Sequence, residues 1–186
     1  MIKNLKQFSL KFIIILIFLT LNNYAYSATQ GSAGSSSSGT VDISISKVGS
    51  AHISDVEDAN FGVWSGSGNL VNNDDICVYA DSAGGTYNVT ITGDGPSNSF
   101  QINDGEGHYM NYDVRWNDEA GTNTNGNNLT PGVILTGQTG ANTTSINCNN
   151  GANLNSRMRI RILEADLMTA FATTYSGTVT IIVAAE

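Results

Sequence analysis

The last twelve residues limit the possible folds most. Over 175–186, Tyr175, Val179, Ile181 and Val183 fall on one side of an extended chain, and Ser176, Thr178 and Thr180 fall on the other. That period of two marks a strand with one buried face. Gly177 interrupts the start, and β-branched residues fill most of the remainder. A hydrophobic strand of this kind needs a partner along its edge, because free edges template association with other chains. What pairs with it is expected to decide what the protein does.

At the other end, Lys3, Lys6 and Lys11 precede an apolar run over 12–21, and small residues stand at Ala25 and Ser27. This pattern predicts a secretory signal over 1–27, cleaved after about Ser27. The apolar run is about half of the roughly 20 residues that span a bilayer, which argues against a retained anchor. Removal leaves 159 residues, a length suited to one domain. The exported part carries five basic and sixteen acidic side chains, a balance of −11, which argues against nucleic acid or an anionic membrane as partner. Few charges for its size and abundant Thr, Asn, Gly and Ser predict an all-β extracellular protein with long polar loops.

Cys77 and Cys148 are the only cysteines, and in an exported chain such a pair predicts a disulfide. Residues 28–39 form a Gly/Ser leader too poor in apolar side chains to offset its ordering entropy. After it, over 40–48, Val41, Ile43 and Ile45 alternate with Asp42, Ser44 and Ser46 as an isolated strand, tethered through Gly49 and Ser50. Whether this strand belongs to its own domain, over 49–186, stays open at this level. Within 49–186, strands are expected over 51–56, 59–64, 74–80 and 87–92. A hairpin of 99–103 and 108–116 is expected around Asp104-Gly-Glu-Gly107, with long polar loops over 117–130 and 137–150. Short strands punctuated by turn residues every ten or so positions indicate a sandwich or barrel.

Arg157, Arg159 and Arg161 alternate with Met158, Ile160 and Ile162, so most of the exported part's basic residues form one stripe. Pairing with carboxylates on neighbouring strands is the simplest role, and an acidic ligand is the sharper alternative. Loosely helical spacing of Ala165, Leu167, Met168 and Phe171 predicts a short helix over 164–172. Catalytic motifs are missing: there is no nucleophile elbow, no His-Glu-x-x-His and no phosphate loop. His52 and His108 each sit in a strand pattern where a structural role is expected. The acids at Asp74-Asp75 and Asp104-Gly-Glu106 lack EF-hand spacing, and the sequons at Asn88, Asn128 and Asn142 arise readily in an Asn- and Thr-rich chain. No enzyme, metal or cofactor is expected.

The signal, the alternating strand behind a leader, the segment Ala59-Asn-Phe-Gly-Val-Trp64, the Cys77 strand, Arg157-Met-Arg-Ile-Arg161 and the terminal strand together resemble the subunits of chaperone-usher fimbriae (pili), outside the best-known branch. The resemblance implies an immunoglobulin-like β-sandwich that is incomplete and is completed by an added donor strand. By that likeness Val41, Ile43 and Ile45 are donor-strand residues, and Tyr175, Val179, Ile181 and Val183 lie on the acceptor strand. It also implies other fimbrial subunits, a periplasmic chaperone and an outer-membrane usher as partners, with passage through the periplasm to the cell surface and a part in adhesion. The competing expectation is a self-complete secreted β-sandwich that binds a carbohydrate or protein through its loops, with Tyr109 on the surface.

Overall fold

The computed structural model describes residues 29–122 and 126–186, so the signal expected over 1–27 lies outside the described residues. They form two units, 29–47 and 48–186. In the first, Thr29 and Thr40 exchange backbone hydrogen bonds of 3.0 Å and close the Gly/Ser stretch into a loop. Residues 41–47 adopt no strand. Val41, Ile43 and Ile45 are 72%, 90% and 95% exposed, so the alternation is present with none of its apolar face buried.

The second unit is an all-β sandwich. Its strands are β1 (Ala51–Ser54), β2 (Leu70–Ala80), β3 (Tyr87–Gly93), β4 (Gln101–Asn103), β5 (Tyr109–Asn111), β6 (Asp113–Asn117), β7 (Asn127–Asn128), β8 (Leu135–Gln138), β9 (Ser156–Ile162) and β10 (Val179–Ala185), with one helix, α1 (Glu164–Thr169). One sheet has the order β1-β2-β9-β6-β7, a second β10-β3-β8, and β4 and β5 form a separate pair. Every named strand pairing is antiparallel. Among the described residues no helix is long and apolar enough to cross a membrane.

Alternation builds the core directly. Tyr87, Val89 and Ile91 of β3 face Val114 and Trp116 of β6 and Met158, Ile160 and Ile162 of β9, with Ile76 and Val78 of β2 completing the cluster. The Tyr87 hydroxyl takes a 3.1 Å hydrogen bond from Trp116 Nε1 and shares one of 2.9 Å with Ser156 Oγ, so the buried polar tips are satisfied. On the outer face, Arg157 grips both Asp75 carboxylate oxygens at 2.6 and 2.8 Å, and Arg161 pairs with Asp113. Arg157 and Arg161 of the stripe thus serve cross-strand ion pairs.

Cys77 and Cys148 form a disulfide with a Cα–Cα distance of 5.8 Å. The loop carrying Cys148 lies against β2, where Asn142 donates its N–H to Val78 O and accepts the N–H of Ala80. Asn155 adds a side-chain copy of a strand ladder, accepting the N–H of Val78 and donating to its carbonyl. Cys148, Asn149, Asn150 and Gly151 all have positive φ, making one left-handed turn.

Three further expected elements take a different form. Residues 59–64 are not a strand: Gly62 has φ 66° and donates its N–H to Asn60 Oδ1, a local turn that replaces ladder pairing. The run over 108–116 is two strands, because at Tyr112, whose N–H donates to Phe100 O, the chain passes from β5 on β4 to β6 on β9. The last strand begins at Val179, four residues after Tyr175, which is held ahead of it by the Phe171 N–H donating to its hydroxyl at 3.2 Å.

Candidate functional site

β10 is an edge strand whose inner face is only half covered. Alternate residues of β3 and β9 are buried, whereas Val179, Ile181 and Val183 are half-buried. Among the described residues β3 is the one strand paired with β10, so its other edge carries no ladder. Beside that edge lies a groove of about 360 Å³. Met158, Ile160 and Ile162 supply apolar lining from β9, Val179 and Ile181 flank it on one side, and the irregular segment from Val56 to Phe61 flanks it on the other.

The irregular wall is fixed by one buried carboxylate. Asp74 points inward from β2, is 5% exposed, and accepts the Glu57 N–H at 3.1 Å. Desolvation raises its pKa above the usual carboxylate range, against the lowering effect of that hydrogen bond. Its neighbour Asp75 faces outward, and the hydrogen bonds from Arg157 hold its pKa below the usual range. The signs are opposite. Asp74 imposes a stability cost that sets in as pH rises from about 3.9 through its raised folded value, whereas Asp75 contributes stability that is lost as pH falls through its depressed one. Asp74→Asn, which keeps the acceptor for Glu57, is therefore expected to raise the Tm by about 2–4 °C at pH 7, with the gain shrinking toward pH 4. Asp75→Asn is expected to lower it by a similar amount. Thermal melts at the two pH values check both, and a lower Tm for Asp74→Asn at pH 7 would contradict the assignment.

Further along β10, a Cβ on Gly49 would stand 2.9 Å from the Ala185 Cβ. Ile102, Tyr112 and Gly177 also line the groove. Burial raises the Tyr112 hydroxyl to about 12, with the negative charge of Asp94 adding to the effect. Gly177 is needed for close approach: a Cβ there would meet Asp94 Oδ1 at 2.8 Å and Ile102 Cγ2 at 2.9 Å.

Of the residues singled out from sequence, Val179 and Ile181 line the groove, Val183 packs on the core further along β10, and Tyr175 stands outside the strand. Val41, Ile43 and Ile45 belong to the other unit. Neither histidine lines the groove. His52 Nδ1 lies 3.0 Å from Ile146 O, and His108 pairs with Asp104 at 2.6 Å while its ring packs at a tilt of 48° against Phe171, with centroids 4.4 Å apart. Among the described residues no three His, Cys, Asp or Glu side chains come together as a metal site. The irregular wall, Ile102, Tyr112 and Asp94 were not anticipated. The Gly93-Asp94-Gly95 turn and the lone Gly177 in a β-branched run were the available signals.

No family model matches the chain, and no curated protein matches it. Among solved structures, a chain from work on a chaperone-tip adhesin complex in CFA/I fimbriae biogenesis is similar at 18% identity with a TM-score of 0.45, over 70% of this chain and 38% of that one. This chain thus spans well under half the length of the chain it matches.

Proposed function

We propose that the chain is a structural subunit of a bacterial surface fimbria of the chaperone-usher type, in which residues 40–48 of one copy lie along β10 of another. In this scheme a periplasmic chaperone fills the groove before an outer-membrane usher delivers the subunit to the surface, where the fibre contributes to adhesion. The observation that carries the proposal is the open groove beside an unladdered β10, in a chain whose exposed Val41, Ile43 and Ile45 have the spacing to fill it. Strand addition supplies main-chain hydrogen bonds along the whole edge, and alternate side chains supply the fit. A head-to-tail contact of this kind propagates when its rotation does not close.

Sizing of the purified chain without residues 1–27 tests this. Oligomers that grow with concentration, and that an excess of a peptide of residues 40–48 shortens, are expected. A stable monomer indifferent to the peptide would instead fit a self-complete sandwich.

A further inference from the structure

We infer that Asp94 receives the Lys47 ammonium of the incoming segment, and that this contact sets the register and the sense in which the segment lies along β10. This rests on the strand addition proposed above. Asp94 is an exposed carboxylate beside the groove: a Cβ built on Gly177, a groove-lining residue with no side chain to screen it, would stand 2.8 Å from its Oδ1. Among the described residues it makes no ion pair. Lys47 is the one lysine beyond the signal and stands two residues after Ile45, in phase with Val41, Ile43 and Ile45. An incoming strand that buries those three therefore turns Lys47 toward the same side.

The two alternations match over their full length. Lys47, Ile45, Ile43 and Val41 step by two, as do Gly177, Val179, Ile181 and Val183. Aligned in that order the strands run antiparallel, the slightly more stable arrangement per residue. Val41 then falls beside Val183, and Ile45 and Ile43 fall beside Val179 and Ile181, which line the groove. The ammonium then meets an exposed carboxylate, so both groups keep part of their hydration. In the opposite sense Val41 would lie beside Gly177, and Glu57 and Asp58, the exposed acids that line the groove, would be the remaining partners for Lys47.

Charge reversal in the chain without residues 1–27 decides between these. At low salt, Lys47→Glu alone and Asp94→Lys alone are each expected to raise the concentration for half-assembly by about fivefold. Mixing the two variants is expected to restore the wild-type value, because every contact in an alternating polymer again joins opposite charges. Thermal melts of each variant confirm that it is folded. Glu57→Lys with Asp58→Lys is expected to leave assembly unchanged. Wild-type assembly that is insensitive to reversal at Asp94, that mixing fails to rescue, or that responds instead at Glu57 and Asp58 would overturn the inference while leaving strand addition standing. A wild-type chain that does not assemble would remove both.

Discussion

If residues 40–48 of one copy complete β10 of another, as proposed, a chain lacking residues 40–47 is expected to cap polymers, because it accepts a segment and has none to donate. The loss is large because three β-branched side chains go with it, each contributing roughly 1.5–3 kcal/mol when fully buried. Even the lower values sum to about 4–5 kcal/mol, or about a thousandfold in affinity, before any backbone ladder along β10 is counted. In a mixture, mean polymer length should fall steeply as the deleted chain is added, and the deleted chain alone should remain unpolymerised. Light scattering across a series of mixing ratios reads this directly. Undiminished polymers at an equimolar ratio would show that the contact between copies uses another surface.

Replacing both Cys77 and Cys148 by Ser is the second change with a large expected effect. The bond spans 71 residues, and on the chain-entropy account closing so long a loop contributes roughly 4 kcal/mol. The Tm should fall by about 10 °C, and reduction of the native protein should reproduce the shift. Cys77 and Cys148 are both fully buried, so the bond also clamps the 142–151 loop onto β2. Amide exchange should accelerate first in that loop. A Tm unchanged by both treatments would mean that the loop's hydrogen bonds hold it without the bond.

The sandwich was legible wherever a strand has one buried face. β3 and β9 alternate cleanly in sequence, and their inward residues are core; the hairpin of β4 and β5 follows the Asp104-Gly-Glu-Gly107 turn. The irregular wall was not, because Ala59, Phe61 and Val63 alternate like a strand while Gly62 and the Asn60 side chain bend the backbone out of any ladder. β8 escaped for the opposite reason: Leu135-Thr-Gly-Gln138 has too little pattern to stand out from its loop. The groove combines both difficulties. Alternation at Val179, Ile181 and Val183 identifies a face to be covered, but says nothing about which segment covers it, and Asp94 comes into place only when the chain brings the Gly93–Gly95 turn beside Gly177.

The left-handed turn at Cys148, Asn149, Asn150 and Gly151 bears on how the protein ages. An Asn-Gly pair in a loose chain loses ammonia readily, since the glycine nitrogen attacks the preceding side-chain amide and closes a succinimide. Here Gly151 donates its N–H to Asn147 O at 3.1 Å, and Asn150 Oδ1 accepts from Asn147 Nδ2 at 2.7 Å. Both reacting groups are thus tied to one residue, so the glycine nitrogen must give up its hydrogen bond before it can attack. The disulfide that pins Cys148 at the head of this turn therefore also restrains the backbone on which the Asn150-Gly151 pair sits.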